Sequence, residues 1–199
     1  MPGRLLPTHG PRVSFGAQFD KAFLMVNRRG HYMNSTSQTT PTAAVPFQPP
    51  GYHSITPYLI VQGAGKAIEF YQSVLGAVER MRIPGPNGVL FHAELQIGDS
   101  VIMLADEMPG MEFKSPASLG GSPVGLVVYV PDVDARFAAA VAAGAKVVRA
   151  LQNQFYGDRS GTIHDPFGHH WTISTHIEDV SAEEMSRRMA AMKPCDQAG

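Results

Sequence analysis

The chain has 199 residues, 44% hydrophobic and 17% charged, with 16 Lys and Arg against 17 Asp and Glu. That apolar content supplies a core and excludes wholesale disorder, and the length suits one domain or two half-domains sharing a core. The near-neutral balance offers no basic face to a nucleic acid, the single Cys195 excludes an intrachain disulfide and a thiolate zinc site, and no apolar run reaches the ~18–20 residues of a membrane helix.

Residues 1–50 carry Pro2, Pro7, Pro11, Pro41, Pro46, Pro49 and Pro50 and the polar run Asn34 to Thr40. Their one compact apolar stretch, Ala22 to Val26, is shorter than a signal-peptide core of about 7–15 residues. The segment is expected to be a disordered extension, with Met33 as an alternative start to Met1, and the protein to be cytoplasmic.

From Gly51 the pattern sharpens. Ile55 to Val61 reads as a strand, and Ala64 to Leu75 as a helix, with Ala67, Ile68, Tyr71, Val74 and Leu75 on one face and Gly76 as its stop. Ala77 to Ile83, Val89 to Ile97 and Ser100 to Ala105 read as strands, divided by Pro84 to Gly88 and by Gly98-Asp99. Met108 to Ser122 reads as a linker. The order then recurs: strand Val124 to Val130, helix Val133 to Ala143 ended by Gly144, and strands Ala145 to Leu151, Ser160 to His164 and His169 to Thr175. Val61 and Val130, Gly76 and Gly144, and Gly98 and Gly168 repeat at an offset of about 70 residues, the mark of an internal duplication. The expectation is an α+β fold of two paired βαβββ units forming curved sheets around a cleft. The domain spans residues 51–176, with units at about 53–106 and 123–176. Residues 177–199 hold a C-terminal helix opened by the capping box Ser181-Ala182-Glu183-Glu184, then a tail. Met185, Met189 and Met192 form a stripe on that helix, expected against the body or a second subunit.

The duplicated order, together with Ala67-Ile68-Glu69-Phe70-Tyr71 and Asp165-Pro166-Phe167-Gly168-His169-His170-Trp171, resembles the vicinal-oxygen-chelate superfamily of glyoxalases, bleomycin-resistance proteins and extradiol dioxygenases. Gly51 to Leu59, His92-Ala93-Glu94-Leu95 and Tyr156 to Gly161 resemble its PhnB-like branch. In metal-dependent members the resemblance implies four His or Glu ligands, from the first and last strand of each unit. Those positions fall here on Thr56, Gly125, Thr172 and either Ile102 or Met103, none with an imidazole or carboxylate. The usual metal is therefore not expected, nor any other cofactor. A different divalent-metal centre from His92, Glu94 and His164 stays open as an alternative.

Strand alternation divides the faces. Phe91, Ala93, Leu95 and Ile97 turn toward the helix, and His92, Glu94 and Gln96 toward the cleft; Thr162 and His164 correspond to His92 and Glu94 by the repeat. His170, Thr172 and Ser174 fall on the same side, and Thr56, Tyr58 and Ile60 complete the lining. His92 and Glu94 are the candidate catalytic pair, since a carboxylate beside an imidazole fixes its tautomer and raises its pKa. A plain hydrogen-bonded strand pair is the alternative. Thr56, Tyr58, Tyr156, Arg159, His164, His170 and Thr172 are candidate ligand contacts. Arg159 clamps an anion or, alternatively, pairs with Asp158 to hold a turn. Two functions follow: a binding protein that sequesters a toxic or antibiotic-like small molecule, or a lyase, isomerase or dioxygenase acting on a small oxygenated metabolite. A homodimer is expected, because open sheets leave edges and apolar faces to cover.

Overall fold

The computed structural model describes residues 45–191. The expectations for the extension and the start site bear on residues 1–44, and those for Met192 and Cys195 on residues 192–199; both lie outside the described residues. Residues 45–50 form no helix or strand, and Val45 and Phe47 are exposed.

The first unit runs β1 (Tyr58–Val61), α1 (Ala64–Leu75), β2 (Val78–Pro84), β3 (Leu90–Ile97) and β4 (Ser100–Asp106). Its sheet has the order β1-β4-β3-β2, with β1 parallel to β4 and the other pairs antiparallel. The first strand is shorter than the sequence suggests. Pro57 has no N–H to extend the ladder, although its carbonyl still accepts from Met103 N at 2.8 Å, and Ile55 is exposed. α1 forms because its apolar residues recur at helical spacing, and left-handed Gly76 ends it. It buries Ala67, Ile68, Tyr71 and Val74, the three large side chains being worth about 1.5–3 kcal/mol each.

The expected linker contains one short helix, α2 (Pro116–Leu119), capped by the Ser115 side chain. The second unit repeats the first with β5 (Gly125–Tyr129), α3 (Val133–Ala142), β6 (Lys146–Asn153), β7 (Asp158–His164) and β8 (His170–His176). Its order, β5-β8-β7-β6, again has a parallel first pair. α4 (Ala182–Ala191) follows. Arg188 ties it to Glu178 and to the Phe155 carbonyl, while Met185 is partly buried and Met189 half exposed.

The two units share one core. Leu95, Leu104, Ile68 and Tyr71 of the first join Phe137, Ile163, Trp171 and Ile173 of the second. α1 packs on α3, and Arg136 of α3 donates to the Val74 carbonyl at the end of α1 (3.3 Å). Each sheet therefore turns its helix-bearing face toward this core and its polar face away. Asp165, 4% exposed, locks the units: one oxygen accepts from Tyr71 Oη of α1 (2.6 Å) and Trp171 Nε1 (3.0 Å), the other from the amides of Phe167 and His169 (both 2.9 Å). This is the structural role of the Asp165 to Gly168 turn.

Candidate functional site

Register on β3 puts His92 and Glu94 on the polar face of the first sheet, as strand alternation predicts. A hydrogen-bond chain crosses that face. Tyr58 Oη meets His92 Nδ1 at 2.9 Å, His92 Nε2 meets Glu94 Oε1 at 3.3 Å, and Tyr52 Oη donates to Glu94 Oε2. The pattern suits a tautomer in which Nδ1 accepts from Tyr58 and Nε2 donates to Glu94. Glu94 is buried, which raises its pKa, but the hydrogen bonds from Tyr52 and His92 outweigh burial and hold it below its ordinary value. The hydrogen bond to Glu94 raises the Tyr52 pKa, and burial raises that of Tyr58. Arg80 lies over the Tyr52 ring, 4.7 Å from its centroid, and donates to the Gly51 carbonyl. Strand parity does not reveal Tyr52, because it precedes β1; its place in the Gly51 to Leu59 motif was the one available signal.

Tyr58 is also a wall of a cavity of about 320 Å³. β1 forms one side, and linker residues Phe113, Pro116 and Leu119 form another, with Val124 and His169 among the lining groups. Burial lowers the His169 pKa, and its Nε2 lies 3.3 Å from the Ile60 carbonyl. The linker is held there by Glu107, which accepts from Ser115 N (3.0 Å), Ser115 Oγ and Ser118 Oγ (2.7 Å). Hydrogen bonding from Ser115 is the main cause that lowers its pKa to about 2.

The polar face of the second sheet carries a ladder between β7 and β8: Asp158 opposite His176, Ser160 opposite Ser174, Thr162 opposite Thr172 and His164 opposite His170. The Thr162 and Thr172 hydroxyls lie 3.0 Å apart, and the two histidines meet through their Nε2 atoms. Burial, then the nearby His170, lowers the His164 pKa. Asp158 accepts from Tyr129 Oη (2.8 Å) and Ser174 Oγ (3.0 Å) and lies 2.8 Å from His176 Nδ1. Its burial favours the neutral acid, but these bonds win and its pKa is lowered.

Several expectations are corrected. His92 and Glu94 lie on one sheet and His164, His170 and Thr172 on the other, and among the described residues no hydrogen bond links the two polar faces. One chain therefore does not gather three histidines and a carboxylate, and a centre of His92, Glu94 and His164 is not assembled within it; among the described residues no group of three metal-binding side chains occurs. Arg159 pairs with Asp134 of α3 (2.6 and 2.8 Å) and Asn153 (3.0 Å), not with Asp158. β7 begins at Asp158, so strand parity turns Arg159 to the helix side, away from the other candidates. Tyr156 sits in the turn before β7, edge-on to Phe155 (centroids 5.2 Å apart). Thr56 lies before β1 and bonds the His53 carbonyl at 3.4 Å.

The four metal positions implied by the family resemblance do not fit a cation. Ile102 is buried toward the core, which leaves Met103 on the polar face opposite Tyr58. Thr172 is occupied by Thr162, Gly125 has no side chain and Thr56 lies outside the sheet. Neutral hydroxyls and a thioether are poor donors for a hard or borderline divalent ion.

Comparison with known proteins agrees with this architecture. The family described as the glyoxalase/bleomycin resistance protein/dioxygenase superfamily matches residues 51–173. An uncharacterised protein of Mycobacterium bovis is 44% identical over 141 residues, covering 69% of this chain and 93% of its own. A Pseudomonas aeruginosa structure, 24% identical, superposes with a TM-score of 0.53 over 62% of this chain and 98% of its own. A Bacillus cereus PhnB protein, 19% identical, gives 0.51 over 62% and 99%. These last two show the fold alone. With its duplicated βαβββ units and a family match across both, the chain belongs to the glyoxalase/bleomycin resistance protein/dioxygenase superfamily.

Proposed function

We propose that this protein binds a small molecule, in the manner of the PhnB-like and bleomycin-resistance side of its family and without the usual four-ligand metal. The observation that carries this reading is the meeting of an apolar cavity with a polar hydrogen-bond chain at Tyr58. A cavity of about 320 Å³ is at the small end of ligand sites, which combine apolar walls with a few fixed polar groups. Tyr58, His92, Glu94 and Tyr52 are such groups, each oriented by the next. Acid/base catalysis by His92 and Glu94 has less support. Both His92 nitrogens and both Glu94 oxygens already have partners, and Glu94 is held as the anion.

We also propose that the working unit is a homodimer. Tyr58, Met81 and Ile83 on the first polar face, and Val127 and Tyr129 on the second, are exposed by 41–63% in a single chain. Apolar side chains aligned on both sheets favour a second copy over each face. Sedimentation equilibrium tests this: a mass of twice 21.5 kDa is expected, falling to one chain in Val127→Asp.

Thermal-shift screening of metal-free protein against a panel of small hydrophobic antibiotics tests the binding reading. At least one compound is expected to raise the melting temperature, with the rise lost in Tyr58→Ala and His92→Ala. A ligand whose effect survives both substitutions would place binding elsewhere and overturn the reading, as would a panel that gives no shift.

A further inference from the structure

We propose, resting on the binding reading above, that His169 selects the ligand of the cavity at Tyr58, and that this ligand is a neutral molecule with an apolar body and a hydroxyl or N–H donor. His169 directly precedes β8 and lines the cavity, although only 8% of it is exposed. Its main chain is fixed in both directions, the N–H donating to Asp165 Oδ1 and the carbonyl accepting from Asp165 N, each at 2.9 Å. The imidazole is fixed by the bond from Nε2 to the Ile60 carbonyl of β1 (3.3 Å).

A carbonyl brings no proton, so Nε2 is the protonated nitrogen of that bond. Burial lowers the His169 pKa by more than the nearby Asp165 carboxylate and the Ile60 bond raise it, which keeps the ring neutral. Nδ1 is then a bare acceptor, with no hydrogen-bond partner among the described residues. The other polar side chains on the wall are engaged. Tyr58 Oη meets His92 Nδ1 at 2.9 Å, and Lys114 pairs with Glu107 at 3.6 Å. Ser122 Oγ donates to the Val124 carbonyl (3.0 Å) and accepts from Val124 N (3.3 Å). Most of the remaining wall is apolar, with Phe113, Pro116, Leu119 and Leu126 on it. An O–H or N–H group satisfies Nδ1 while an apolar body fills the rest. A ligand without a donor buries the Nδ1 lone pair unpaired, and a carboxylate sets its own lone pairs against it. An ammonium group has to shed its water against apolar walls.

Para-cresol and para-methylanisole test the assignment, because they share an aromatic body and differ in the hydroxyl proton. NMR titration of the full-length protein reads the affinity of each from shifts at Tyr58 and Phe113. Para-cresol is expected to bind roughly tenfold more tightly, the scale that pairing a buried acceptor supplies. It is also expected to move the Nδ1 nitrogen resonance of His169. In His169→Phe the two compounds are expected to bind equally, whereas mere loosening of the cavity would weaken both and preserve their ratio. Equal binding to the native protein, or a preference that survives His169→Phe, overturns the proposal and leaves the binding reading standing. The absence of any shift at Tyr58 and Phe113 with either compound overturns it too, and the binding reading falls with it only if the antibiotic panel also gives no thermal shift. If His169→Phe does not fold by circular dichroism, the native Nδ1 resonance decides. A change with para-cresol and none with para-methylanisole supports the assignment; the same response to both rejects it.

Discussion

Replacing Tyr71 with Phe removes one oxygen from the centre of the molecule and leaves the ring in place. Tyr71 is fully buried, and its hydroxyl spans the two units by donating to Asp165 at 2.6 Å. Burial, reinforced by the neighbouring Asp165, raises the Tyr71 pKa well above its ordinary value, so the phenol is present as a donor. A hydrogen bond to a carboxylate contributes about 1.5–3 kcal/mol. Asp165 keeps three other donors after the change, from Trp171, Phe167 and His169, which limits the penalty for the acceptor left behind. The ring still packs on Trp171 and Phe167, so no cavity term is added beyond the missing oxygen. The expected loss is therefore about 2 kcal/mol, a sizeable part of the ~5–15 kcal/mol typical of a domain. Asp165→Ala strands four donors and is expected to cost ~4 kcal/mol or more. Urea unfolding followed by Trp171 fluorescence measures both. A Tyr71→Phe cost under about 0.5 kcal/mol would refute the assignment of Asp165 as the lock between units.

Three further outcomes follow from the same structure. Gly161→Ala sets a new Cβ 2.5 Å from the Phe137 ring, so a loss of about 1–3 kcal/mol is expected in the same unfolding assay. His176 is hydrogen-bonded first to Asp158 and then to Asp179, which raises its pKa; the stability it contributes is complete below about pH 6.5, is lost as pH rises through the raised value, and should vanish in His176→Gln, with proton NMR of the imidazole reporting the midpoint. Glu107, lowered to about 2, stabilises above its unfolded value of 4.5 and loses that contribution as pH falls toward 2, so Glu107→Gln is expected to speed amide exchange across Ser115 to Leu119 at neutral pH.

The sequence carried the fold in its punctuation. Gly76 and Gly144 ended helices at matching places, and Ala67, Ile68, Tyr71 and Val74 marked a helical face that is buried as their spacing requires. Period-two alternation also placed His92 with Glu94, and His164 with His170, on common faces, because parity is local information. What it lacked was the relation between the sheets. A repeat offset does not say that α1 packs on α3, and that contact is what turns the two polar faces away from the shared core. Arg159 was misread for a smaller reason. With β7 taken to begin at Ser160, Asp158 and Arg159 look like turn neighbours, whereas a strand begun at Asp158 sends them to opposite faces. Tyr52 escaped because its side chain reaches Glu94 from outside any regular element.

The most direct test of small-molecule binding at Tyr58 is a carbon-resolved NMR titration of the aromatic and imidazole groups with a compound that raises the melting temperature. The largest shifts are expected at Tyr58, His92 and Tyr52, with smaller ones at Phe113 and His169 along the cavity wall. Shifts confined to other parts of the chain, with these five residues unmoved at saturation, would contradict the account.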